Sequence, residues 1–157
     1  MGKKTGKNPT DRGKLGVKRS TLVDGRGVPL AVAVDGANVP DQKLVAETLD
    51  AIPVERPEPT SQQPQHLCLD KGYAGEPVDR EARARGYTPH VPSKANQPSK
   101  PKRRRSTARR WKVERTHSWL NRARRLLTRW EKKVANYLGF LHLRFAIVTL
   151  RTAGVLG

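Results

Sequence analysis

Two carboxylates stand out by where they fall. Asp70 ends the short apolar run His66–Asp70 (HLCLD), just before the turn Lys71-Gly72-Tyr73-Ala74-Gly75. Glu114 is the only acid between Ser93 and Trp130, and it lies among cations. An Asp at a strand end in an α/β sheet sits at the edge where ligands bind, although it is also a common turn cap. A lone Glu on a basic helix is either the ion-pair partner of Arg110, one turn earlier, or a metal ligand that needs further carboxylates. An Asp and a Glu of this kind could hold a hard cation such as Mg²⁺, which takes one or two carboxylates plus waters and phosphate oxygens. Two such ions stabilise the attacking and leaving oxygens of a phosphodiester displacement.

The elements that would position them can be read from the apolar pattern. Arg109–Trp130 reads as one amphipathic helix. Its stripe is Thr116, Trp119, Leu120, Ala123, Leu126, Leu127 and Trp130, with Arg110, Glu114, Ser118, Asn121 and Arg125 on the opposite face. Upstream, Val17–Val23 and Val28–Val34 flank the turn Asp24-Gly25-Arg26-Gly27 and predict a hairpin. Asp41 is placed to cap a helix over Gln42–Ile52. His66–Asp70 and Tyr87–Pro92 read as short strands around a polar helix Glu76–Arg85. Val134–Thr152 predicts a last helix, apolar nearly all round and so buried by the sheet or a partner. This order predicts an α/β fold, a mixed sheet with helices on its faces. Residues 1–16 read as a basic flexible arm, and 53–64 and 93–106 as surface linkers.

The formal charge of +18 over 157 residues calls for a polyanionic partner. Half of the 32 Lys and Arg residues lie between Lys94 and Lys133, including the run Lys102, Arg103, Arg104 and Arg105. DNA phosphates are the expected contacts of that run and of Arg110, Arg122 and Arg125. The N-terminus shows no apolar anchor or signal peptide, and no apolar run is long enough to span a bilayer, so no membrane partner is expected. One cysteine, Cys68, excludes an intrachain disulfide and suits a reducing cytoplasm; it is expected to be a small buried residue in a strand. His66, His90, His117 and His142 are scattered without a zinc spacing. Trp119 and Trp130 belong to the helix stripe, while Trp111 is open.

The runs TGKNPTDRGKLGVKR (Thr5–Arg19), LVDGRGVPLAV (Leu22–Val32), GANVPDQKL (Gly36–Leu44), LDKGY (Leu69–Tyr73), RGYTPHVP (Arg85–Pro92) and WKVERTHSWLNRARRL (Trp111–Leu126) cover almost the whole sequence. In order and spacing they resemble the C-terminal part of DDE transposases of the insertion-sequence IS5 type, the group sharing an IS4-like catalytic domain. The resemblance implies an RNase H-like fold and cut-and-paste DNA chemistry with Mg²⁺ or Mn²⁺. It makes Asp70 the second and Glu114 the third acid of a metal-binding catalytic triad. The family signature around the last acid is Tyr, two residues, Arg, three residues, Glu, six residues, Lys. Arg110 and Glu114 fit it; Thr107 and Asn121 stand where the Tyr and the DNA-contacting Lys would be.

By the same resemblance the first acid lies on a first, central strand upstream of the Thr5 run. The expectation is therefore a partial RNase H-like catalytic domain over 17–153, truncated by that strand and inactive by itself. Asp35 is the best of the poor substitutes for the first acid. The expected partners are the DNA of transposon ends, with either an upstream reading-frame product or a full-length transposase; the expected location is the bacterial cytoplasm, nucleoid-associated when bound to DNA. The alternative is a non-catalytic DNA-binding remnant that inhibits the full-length enzyme by mixed assembly.

Overall fold

A computed structural model describes residues 3–92 and 110–156 of the chain, with no side-chain description at Arg110. The predicted hairpin is its centre. Strands β2 (Leu15–Val23) and β3 (Pro29–Gly36) pair antiparallel, from Val17 opposite Gly36 to Leu22 opposite Ala31. The turn is fixed by Asp24, whose carboxylate accepts from the backbone N–H of Arg26 (2.7 Å) and Val28 (2.8 Å). Gly27 takes φ +84°, open to glycine at little cost. A two-residue strand β1 (Gly6–Lys7) pairs with Leu15–Gly16, so part of the expected arm is tied to the sheet.

Alternation along the hairpin gives it two covered faces. On the first face, Leu22 meets helix α1 (Val45–Asp50), strand β4 (Gln65–Cys68) and helix α2 (Glu76–Ala84) through Val45, Leu49, Leu67, Val78 and Ala82. A 3₁₀ turn, Asp41–Leu44, precedes α1; Asp41 does not cap it but pairs with Lys18 at 2.8 Å. On the second face, Val17, Val32 and Val34 meet helices α3 (Arg110–Asn121), α4 (Arg124–Leu127) and α5 (Val134–Thr152) through Leu120, Leu126, Tyr137, Leu141 and Phe145.

Other expectations change as well. The single helix over Arg109–Trp130 breaks after Asn121, where Ala123 turns extended (φ −86°, ψ 103°). The break lets Leu120 and Leu126 enter one core, and it leaves Leu127 and Trp130 (75% exposed) outside the stripe assigned to them. The mixed sheet is instead two sheets: β1-β2-β3, and a parallel pair of β4 with β5 (Tyr87–His90). Cys68 is exposed, not buried, because in β4 only Leu67 turns to the core. The last helix falls at Val134–Thr152 as read, but Leu143 (59%) and Leu150 (40%) remain exposed. No helix among the described residues is long and apolar enough to cross a membrane.

Candidate functional site

Asp70 follows β4 in extended backbone and caps the 3₁₀ turn Lys71–Tyr73, accepting from the Lys71 N–H at 2.7 Å. Strand alternation continues through it: Leu67 is buried and Leu69 packs on the first core, while His66, Cys68 and Asp70 are exposed. Tyr73 leads from Asp70 back to the hairpin. Burial pushes its hydroxyl pKa up, the Ser20 hydroxyl bonded to it opposes this, and the Asp41 and Asp70 carboxylates add to the rise. Ser20 in turn accepts from Thr48 at 2.8 Å. His66 and His90, far apart in the chain, stand 2.8 Å apart, Nδ1 to Nε2, because β4 and β5 pair in parallel with Cys68 opposite His90. Only the pairing of two short strands, invisible in the spacing, could have revealed that.

Glu114 is exposed on α3, and the helix is pinned to the hairpin turn by its own side chains. Lys112 donates to Gly25 O, Arg115 to Arg26 O, and the buried Thr116 hydroxyl to Gly27 O at 2.6 Å. This is the close approach that a side chain at Gly27 would obstruct, since a Cβ there would lie 2.9 Å from Arg115 Nη2. His117, one turn along, has its pKa lowered by burial first and by the Arg19 guanidinium second, with Glu114 pulling the other way. Arg19 donates to Asn121 Oδ1 at 2.8 Å and to Leu126 O.

The two acids therefore sit on elements packed against different faces of the hairpin. Tyr73, three residues after Asp70, is bonded to Ser20 of β2, and Arg19, the neighbouring residue, is bonded to Asn121 at the end of the Glu114 helix. Between β2 and β4 there is no ladder among the described residues. No group of three or more His, Cys, Asp or Glu side chains able to hold a metal gathers among them either. Asp35, in β3 opposite Lys18, accepts from its neighbour Gly36 N–H at 2.7 Å.

The expected DNA contacts divide. Arg122 is exposed. Asn121 is bonded to Arg19. Arg125 lies over the Phe140 ring (4.9 Å) with Nε 3.3 Å from Glu131, whose side chain is only 6% exposed. Lys102, Arg103, Arg104 and Arg105 lie outside the described residues, as does the Arg110 side chain and hence its expected pair with Glu114. Charge divides more sharply. Residues 1–92 carry 14 Lys and Arg against 12 Asp and Glu, whereas 110–156 carry 11 against 2. The unit that presents Glu114 is the one with uncompensated positive charge.

Comparison with known proteins places the chain in a family. The family model described as the transposase DDE domain matches residues 1–150. A Burkholderia cepacia protein named as a transposase for insertion sequence element IS402 is 37% identical over 156 residues, which is 96% of this chain and 72% of the relative. No solved structure matches the chain.

Proposed function

We propose, for a chain that belongs to the transposase DDE domain family, that it supplies part of an RNase H-like active site for metal-dependent cleavage and transfer of DNA strands. The observation that carries this reading is the match of the transposase DDE domain model to residues 1–150, within which the exposed carboxylates of Asp70 and Glu114 both lie. DDE transposase domains use divalent metal ions. The donor set here fits a hard cation in kind, being two exposed carboxylates, and Mg²⁺ or Mn²⁺ is the ion proposed. When bound, such ions stabilise the attacking and leaving oxygens of a phosphodiester displacement.

The remaining work falls to the chain itself. Asp70 and Glu114 would hold the ion. Arg122 and the basic run Lys102–Arg105 would bind the phosphates of transposon-end DNA, with Arg110 on the Glu114 helix and Arg125 on α4. Arg19 orients Asn121 and holds α3 and α4 on the hairpin. Two carboxylates are one short of a triad, so the 157-residue chain by itself does not cut, and it works with an upstream-encoded polypeptide or a full-length transposase of the IS5 type. The failure of a third donor to gather among the described residues favours one other reading, a DNA-binding remnant that inhibits the intact enzyme.

The test uses the complete transposase reconstituted around this chain, with Mg²⁺ and transposon-end DNA. Asp70→Ala and Glu114→Ala should each lower strand cleavage more than about 100-fold, beyond the range typical of outer-shell partners of a metal. DNA affinity should change little. Full cleavage by either variant, or strand transfer by the 157-residue chain with Mg²⁺, would overturn the reading.

A further inference from the structure

The last turn of α3 and the C-terminal half of α5 border a cleft of about 280 Å³ that Glu114 does not line. Its walls are Trp119, Arg122, Arg144, Val148, Arg151 and Thr152, with no carboxylate among them. We infer that this cleft takes one unpaired nucleotide of a bound DNA strand, its phosphate among Arg122, Arg144 and Arg151 and its base against the Trp119 indole. The inference rests on the DNA-directed reading above.

The three guanidiniums are held differently. Arg144 is fixed, donating through Nε (3.2 Å) and Nη2 (2.9 Å) to Trp119 O. Arg122 and Arg151 are exposed, and neither has an acid partner among the described residues. The indole is only half-buried and carries the Arg115 guanidinium 4.9 Å from its ring centre. A fixed donor, two exposed ones and an aromatic wall together suit a phosphodiester with its base, since any base can stack on an aromatic ring.

The opposing consideration is that the cleft lies at two helix C-termini, which carry partial negative charge and attract cations for their own sake. Magnitudes decide. Each end contributes roughly −0.5 of a charge, so two ends offset only about one of the three guanidiniums. Arg144 already performs that service at Trp119 O. About two positive charges stay uncompensated beside an apolar wall. At roughly 300 Å³, the lower limit for small-ligand sites, the space suits one nucleotide and not a duplex.

The experiment uses the whole chain in a Trp111→Phe/Trp130→Phe background, which leaves Trp119 as the sole tryptophan reporter. An oligothymidylate of about twelve nucleotides, within the usual site sizes for single strands, should quench Trp119 emission. Thymidine 5′-monophosphate should do so more weakly, and inorganic phosphate should not. Arg122→Gln/Arg151→Gln should weaken oligothymidylate binding about tenfold and reduce the slope of log affinity against log salt by about one. Arg26→Gln/Arg80→Gln, removing two exposed cations elsewhere, should do neither to that extent. The same pair of double variants, read by anisotropy of labelled oligothymidylate on the otherwise unaltered chain, gives the answer without the tryptophan changes. Equal weakening by the two pairs, quenching by phosphate alone, or no oligothymidylate binding would overturn the inference. Cleavage by the reconstituted transposase, dependent on Asp70 and Glu114, would survive each of those results and so separates the two claims.

Discussion

On the first face of the hairpin, cations meet carboxylates. Arg85 grips both oxygens of Asp50 (2.6 and 2.8 Å) and reaches Glu81 at 2.5 Å, tying α1 to the end of α2. Lys18 pairs with Asp41, and Lys4 with Glu47. On the second face, acids are scarce and cations meet backbone carbonyls. Lys112 and Arg115 hold the hairpin turn, Arg129 donates to Lys4, Glu131 and Lys132, and Arg144 donates to Trp119. A carbonyl accepts a hydrogen bond without cancelling the charge of its donor. One half of the molecule thus neutralises its cations while folding, and the other folds with them still positive and available to a polyanion.

The largest test asks whether the two faces are separable. Leu141 is fully buried in the second core, beside Val32 and Val34 of the hairpin that also backs the first. Leu141→Ala should cost about 2–5 kcal/mol. Because both cores share one hairpin, tryptophan fluorescence, which reports only residues 111–130, and far-UV circular dichroism should show one coincident urea transition. Two separated transitions would break the shared-hairpin picture.

A smaller effect separates the two kinds of tie. Arg85→Ala should destabilise by about 1 kcal/mol at low salt and by less at high salt, since partly exposed ion pairs are screened. Arg129→Ala removes bonds to neutral carbonyls, so its cost should vary less with salt. Equal salt dependence of the two variants would contradict the contrast.

The smallest effect is in pH. The pKa of His117 is lowered in the fold, so as pH falls through about 6.5 the unfolded chain takes up a proton first. Stability then declines until the lowered value is passed, and His117→Gln should remove that step. Asp50 is held below its ordinary value of 3.8, chiefly by its bond to Arg85. Its contribution is present above that value and is lost as pH falls through the lowered one. Acid should therefore lower the stability of the whole unit in two steps, the His117 step at higher pH than the Asp50 step, as followed by thermal melts of single variants at the two positions across pH; the reverse order would contradict the assignment.

Local pattern made much of the fold legible. Asp24-Gly25-Arg26-Gly27 announced the hairpin by turn chemistry, and Val134–Thr152 announced its helix by length and apolarity. The break after Asn121 was hidden because Trp119 through Trp130 keep a helical spacing, and only packing shows that Leu126 needs the turn to reach Leu120. The separation of β4–β5 from the hairpin was hidden because sheet order is a long-range property. At the site, residue type and spacing singled out Asp70 and Glu114, and the bonds that seat their elements, Tyr73 to Ser20 and Thr116 to Gly27 O, needed coordinates. The role of cations as carbonyl donors left no trace in the sequence beyond the shortage of acids.

The bonds of Tyr73 to Ser20 and of Asn121 to Arg19 make strand β2 a common ruler for the two halves. Successive side chains of a strand face opposite ways, so a slip of one position exchanges everything on its two sides. Deleting a single residue between Val17 and Leu22 would turn the arginine toward the tyrosine and the serine toward the asparagine. Such a lesion would dismantle a site in which neither acid had been touched.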